Sequence, residues 1–260
     1  MNRYKLTISY DGSDYVGWQI QPSGVTIQGE IEKALLLLLR KETRAIGAGR
    51  TDTGVHALAQ VAHFDTEEEL NPQRFVYQLN GVLPQTIRIK EVRKVPSHFH
   101  AQRSASSKIY HYHLWMAPGG DPFTAKYHLQ VHEKLSIPLL QEAANHFVGK
   151  KDFASFTNVG STVKTTVRTI KRIDIVEERG GLRLEFEGDG FLYKMVRNIT
   201  GTLLEVGKGK RALETLPSLL EGKDRRKADL SAAAKGLFLF EVVYPLEIYE
   251  SREMEKVTPS

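Results

Sequence analysis

In the stretch IGAGRTDTGVHALAQVAHF, residues 46–64, a single carboxylate, Asp52, stands among Gly47, Gly49 and Gly54, two residues after Arg50. A lone acid in so polar a loop can be a nucleophile, an electrostatic stabiliser, half of a proton-sharing dyad, or a cap on a turn with Arg50 on the surface. The dyad is the chemistry of aspartic proteases, which use a D-T-G triplet from each of two lobes or subunits. This chain has one D-T-G, and the basic and polar residues Arg50 and Thr51 stand where an apolar strand would end. An adjacent arginine would also spoil a shared proton. In an extended segment Arg50 and Asp52 project to the same side. A carboxylate beside a guanidinium stays charged at neutral pH, which suits a nucleophile or a stabiliser and not a general acid. The glycines permit unusual backbone angles and close approach by a ligand. Spacing alone leaves the turn cap and the functional acid equally open.

Other candidate chemistry is thin. The chain has no cysteine, so disulfides and thiolate metal sites are excluded, and an intracellular setting is favoured. His111 and His113 fall on one face of a strand, but no third ligand is near them in sequence, so no metal is expected. Net charge is +5 over 260 residues, with basic clusters at 39–44, 88–94, 171–173, 207–211 and 223–227. Such clusters are either solvated surface or the footprint of a polyanion partner. The longest apolar run, Ala34 to Leu39, is far short of the ~20 residues of a membrane span, and the N-terminus has no signal-peptide pattern.

The elements that would position Asp52 read as follows. YKLTISYDG is a strand ending in a turn at Asp11-Gly12. Apolar residues at 27, 31, 34, 35 and 38 form a helical stripe, and residues 71–84 a short helix bracketed by prolines. QVAHFDT and TIRIKEVRKV are strands. SKIYHYHLW is another, with Lys108, Tyr110, Tyr112 and Leu114 on one face. A helix opens at Ser136 as cap and ends at Gly149. Residues 166–188 form a hairpin, 190–210 a helix, 212–222 a weaker helix interrupted by Pro217, and 236–245 a last strand. Strands and helices mix in both halves, which argues α+β with a boundary between Ala101 and Pro138. On the helix of 190–210, Leu192, Met195, Val196, Ile199 and Leu203 make the core stripe. Arg197 lies off it, where a solvated surface is the expectation from spacing alone. The tail, residues 249–260, is charged and expected to fray.

GAGRTDTGVHA resembles the signature of the pseudouridine synthases, specifically the family of tRNA pseudouridine synthase A. The resemblance extends through YDGSDYVGWQIQ, QVAHF, LNGVLP, FHAQRSASSKIYHYHLW, DFASF, FLYKMVRNITGTL and GLFLFEVVYP, in the family's order and spacing, from Tyr4 to about Pro245. It implies two α+β halves, residues 1–105 and 106–248, around a central, mostly antiparallel sheet with a basic cleft between them. It implies isomerisation of uridine to pseudouridine at positions 38, 39 and 40 of the tRNA anticodon arm, without a cofactor, by a cytoplasmic homodimer with no membrane segment.

Residue by residue, the resemblance makes Asp52 the nucleophile, attacking either C6 of the base or C1′ of the ribose. It has Arg50 contact the RNA or help hold the target base out of its helix, which costs a few kcal/mol. Tyr110 is expected to stack on uracil and help remove the C5 proton, though a phenol that titrates near pH 10 is a poor base unless a cation lowers it. Tyr112 is left as a core aromatic. Arg197 is expected to pair with Asp52, and Leu192 to wall the base. The family often has histidine where Lys194 stands, so Lys194 carries no catalytic role. The chain also lacks the usual Ala-Pro before GLFLFEV, which puts the geometry of that loop in question. Two rival readings are a non-catalytic RNA binder and a carboxylate hydrolase, the latter usually needing a second acid.

Overall fold

In the computed structural model, which describes residues 1–158 and 163–250, one sheet runs through the whole protein. Its strands are β1 (Asn2–Tyr10), β2 (Ile46–Gly47), β3 (His56–Thr66), β4 (Ile87–Val95), β5 (Ser107–Trp115), β6 (Leu129–Gln130), β7 (Gly149–Asp152), β8 (Val167–Glu178), β9 (Gly181–Gly188) and β10 (Leu237–Val243). The helices are α1 (Ile27–Leu39), α2 (Pro72–Val82), α3 (Ile137–Asn145), α4 (Met195–Gly207) and α5 (Thr215–Glu221). The strand order is β4-β1-β3-β10-β5-β9-β8-β7, with β2 beside β3 and β6 beside β5. All neighbours on the main path are antiparallel except β10 and β3. The last strand of the chain therefore lies between the strands of its first hundred residues and those that follow. It joins Leu239 to Ala57 on one side and to Tyr110 on the other.

Alternation makes these strands two-faced. Tyr4, Leu6, Ile8 and Tyr10 of β1 are buried, as are Tyr110, Tyr112 and Leu114 of β5 and Leu182, Leu184 and Phe186 of β9. Thr26 caps α1 by accepting from the Gly29 N–H, and Asn71 caps α2 through the Arg74 N–H. α2 packs on β4, and α3 packs on both β8 and α4. None of the described helices is long and apolar enough to cross a membrane.

Three helix readings need correction. α3 stops at Asn145, with no side-chain bond from Ser136. Gly149, at φ +101°, instead opens β7 after an intervening turn. Pro217 does not interrupt α5. It lies in the first turn, where its missing N–H would have had no partner in any case. α4 begins only at Met195, because Lys194 is left-handed (φ 60°) and Leu192 O closes a turn on Met195 N. Leu192 is buried there as a turn residue, so it mimics the helical stripe from outside the helix. Of the tail, residues 251–260 lie outside the described residues. Tyr249 is docked: it stacks on Phe99 and takes the Arg93 guanidinium 4.4 Å from its ring centroid.

Candidate active site

The Asp52 loop is held from beneath by main-chain bonds. Ala48 N–H donates to Val61 O, Trp18 N–H to Thr51 O, Val55 N–H to Asp52 O and Gly54 N–H to Tyr15 O. The side chain just before the acid is locked too, since the Thr51 hydroxyl shares a 2.8 Å hydrogen bond with the buried Tyr10 phenol. Gly17, at φ +107°, allows the 15–18 turn to lie against the loop, where a Cβ would stand 2.6 Å from Thr51 O. Gly47 is spoken for in the same way: a Cβ there would meet the Trp18 ring, so this glycine admits a core tryptophan and not a ligand.

The guanidinium beside Asp52 comes from Arg197. Its Nη1 donates to Asp52 Oδ2 over 3.1 Å, and the two side chains keep 14% and 17% of their surface. Arg50 is exposed and makes no hydrogen bond or ion pair among the described residues, which corrects the pairing expected within the loop. The solvated surface expected for Arg197 from spacing is corrected as well. Every residue of α4 is buried except Arg197 and Glu205. A charge in such a helix needs a partner, and Arg197 has two, since Nε also donates to Ala232 O over 2.8 Å.

Ala232 belongs to the segment that lacks the proline, and that segment is firmly positioned. Ala232 N–H returns a bond to Arg197 O, and the Tyr112 hydroxyl donates to Ala233 O over 2.7 Å. A Cβ on Gly201 would stand 1.9 Å from Leu230 O, so only glycine lets the segment lie on α4. Arg225 supports it from below. It donates to Ala228 O, Asp229 O and Ser231 Oγ, and to Asn198, whose amide donates to Phe156 O. Tyr112, Asn198 and Arg225 are supports of this segment that the sequence reading missed. Gly201, one turn on from Arg197, was legible as a glycine that leaves room for another chain segment, and the 230–233 segment fills that room.

Tyr110 lies on the inner face of β5, 7% exposed. Burial raises its phenol above the ordinary value, and the nearby Tyr10 and the charge of Asp52 push the same way. No cation lowers it, so the phenol is protonated at neutral pH. Phe191 meets its ring edge-on at 5.2 Å. Leu192 is buried in the turn into α4. The fold thus brings Asp52, Arg197 and Tyr110 together, while the Arg50 side chain is exposed and Leu192 is buried. No second carboxylate is bonded to Asp52 or Arg197 among the described residues.

An open cavity of about 530 Å³ lies elsewhere, beside Asp11, His56, His113, Tyr127, His128 and Phe238, and touches none of the three. There the fold supplies what sequence did not: His113 meets His128 and Glu178, with ligand atoms within 4.8 Å of one another, while His111 turns to Glu185. Glu178 is already neutralised by Arg183 and accepts from His113 Nδ1. Several basic clusters are similarly engaged with the protein's own acids: Lys94 with Glu69, Lys208 and Lys210 with Glu133, Arg211 with Asp229 and Arg226 with Asp224.

A family model described as tRNA pseudouridine synthase matches residues 6–102 and 143–245. The chain is 50% identical over 251 residues to tRNA pseudouridine synthase A 1 of Protochlamydia amoebophila (strain UWE25), covering 95% of this chain and 98% of that one. It is 42% identical over 245 residues to tRNA pseudouridine synthase A 2 of Bacillus anthracis, covering 94% and 100%. A solved Cbf5-Nop10-Gar1 complex overlaps 91% of this chain and 48% of that one at 14% identity and a TM-score of 0.40, too slight a likeness to argue from. With both halves of the sheet matched and near-full-length relatives on either side, the chain belongs to the tRNA pseudouridine synthase family, isomerases of tRNA uridine.

Proposed function

We propose that the protein isomerises uridine to pseudouridine at positions 38, 39 and 40 in the anticodon arm of tRNA, with Asp52 as nucleophile and no cofactor. The reaction breaks the N1–C1′ bond, turns the uracil and forms a C5–C1′ bond. C5 loses its proton and N1 gains one, so the product is an isomer and no co-reactant is consumed. The observation that carries the reading is the ion pair of Asp52 and Arg197 at 3.1 Å, partly open and beside Tyr110. An anionic oxygen held on a guanidinium can attack either C6 or C1′, and its position is fixed before substrate arrives. Tyr110, protonated and flanked by Phe191, serves as a flat apolar surface for the extruded uracil. As a base for the C5 proton it would first have to lose its own. Arg50, exposed and without a side-chain partner among the described residues, can meet phosphate or occupy the space the base leaves.

The enzyme acts in the cytoplasm as a homodimer in this reading. Leu58 and Phe240, 40% and 37% exposed on the sheet beside His111, favour a second copy as cover. Incubation of unmodified tRNA with the protein, followed by mapping of pseudouridine, tests the proposal. Modification confined to the anticodon arm and lost in Asp52→Asn supports it. Turnover by that variant at the wild-type rate, or release of free uracil, overturns it.

A further inference from the structure

Beside the loop of Asp52, Lys108 of β5 and Arg168 of β8 lie on either side of β9, and neither has an acid within 4 Å among the described residues. Lys108 lies two residues before Tyr110 on the same face of β5, about 7 Å along the strand. Its side chain runs under the catalytic loop: a Cβ on Gly49 would stand 3.5 Å from Lys108 Nζ. Across the sheet Lys108 pairs with Gly188, and a Cβ on Gly190 would stand 3.7 Å from Arg168 Nε. Both side chains are half-buried. Lys108 makes no hydrogen bond or ion pair among the described residues. Arg168 spends Nη1 on Thr165 O and Val167 O, leaving its other N–H groups without a protein acceptor among those residues. Asp189 is the nearby acid. Its Oδ1 accepts from Thr169 N–H, and no ion pair to either cation forms within 4 Å.

This arrangement is costly in the free protein. Burial and the charge of Arg168 both act against the Lys108 ammonium, and Asp189 only partly offsets them. An ordinary structural lysine would extend to water or take a carboxylate, as Lys94, Lys171 and Lys210 do. Two half-buried like charges beside glycines 49 and 190, with no carboxylate on either among the described residues, are a setting that an anion would relieve. Glycine at 49 and 190 leaves room for a chain carrying that anion to come close.

We propose that Lys108 and Arg168 form a seat for the RNA phosphodiester next to the target uridine, holding the backbone while the base lies against Tyr110. The proposal rests on the tRNA reading above and adds a binding site to it. A phosphate here would bridge both cations and fix the register in which the nucleotide enters, without reading its sequence.

The test measures tRNA affinity across a range of NaCl concentrations for wild type, Lys108→Met, Lys108→Arg and Arg168→Gln. Removing one cation that neutralises a phosphate should lower the slope of log affinity against log salt by about 0.7–0.9. Lys108→Met and Arg168→Gln are expected to show that drop, with KM raised by a larger factor than kcat falls. Lys108→Arg keeps the slope. Lys108→Met should also melt no lower than wild type without RNA, because it removes a half-buried like charge and keeps the stem. An unchanged salt slope in Lys108→Met, or a kcat loss with KM unchanged, overturns the seat. These failures differ from failure of the parent reading, in which wild type itself would make no pseudouridine in tRNA.

Discussion

Arg197 and Asp52, 145 positions apart in sequence, meet at 3.1 Å, and the same guanidinium holds Ala232 O at 2.8 Å. Arg197 therefore links the Asp52 loop to the segment before β10. Asp52→Asn keeps the shape and removes the charge. It should lower kcat by about 10³–10⁵-fold while tRNA affinity changes little, as read by single-turnover pseudouridine formation alongside filter binding.

Arg197→Met leaves Asp52 without its cation and Ala232 O without its donor. Turnover should fall about 10²–10³-fold, more than affinity does. An equal loss of both would assign Arg197 to binding alone.

Gly201→Ala places a methyl group against Leu230 O, with only backbone to move. The variant should lose about 1–3 kcal/mol of stability in urea, together with activity, because the displaced segment carries Arg197's second partner. A stable and fully active Gly201→Ala protein would mean that the segment's position does not matter to catalysis.

Tyr112→Phe removes one part-buried hydrogen bond from Ala233 O, at a cost of about 0.5–1.5 kcal/mol. Since Tyr112 touches the segment and not Asp52, kcat should fall less than in Arg197→Met. Urea denaturation and steady-state rates on the same preparation compare the two.

Stability should fall with pH between about 6.5 and 4. Burial, reinforced by Arg3 and His100, pushes His63 down to about 4, and burial does the same to His111. In that window the unfolded chain takes up protons that the folded one refuses, so acid favours unfolding. His63 accepts from Ala101 N–H and has almost no exposed surface. Each histidine should contribute about 1–3 kcal/mol by pH 4. His63→Gln should show a shallower fall in urea midpoint between pH 7 and pH 4.5 than wild type.

Local patterns carried much of the fold in the sequence. Alternation identifies β1, β5 and the β8–β9 hairpin, and the apolar stripe at 27, 31, 34 and 35 identifies α1. What failed was local as well. Leu192 keeps the apolar period of α4 without being in the helix, since burial in a turn and burial on a helix place an apolar residue alike. The meeting of Arg197 with Asp52 could not come from periodicity, which puts Arg197 on the wrong side of its helix. The cage formed by Asn198, Arg225 and Ser231 depends on three segments meeting, and no spacing within one segment announces it. Net charge misleads in a related way, since several basic clusters face acids of the same protein.

β10 is hydrogen-bonded to β3 on one edge and to β5 on the other. The Asp52 loop leads into β3, and Tyr110 lies on β5, so both depend on a strand that follows them far along the sequence. A growing polypeptide that has not yet delivered residues 237–243 has no bridge between the two sets of strands. Until then β3 and β5 each keep an open edge awaiting the same strand, so the loop of Asp52 and Tyr110 come together only once residues 237–243 have been made.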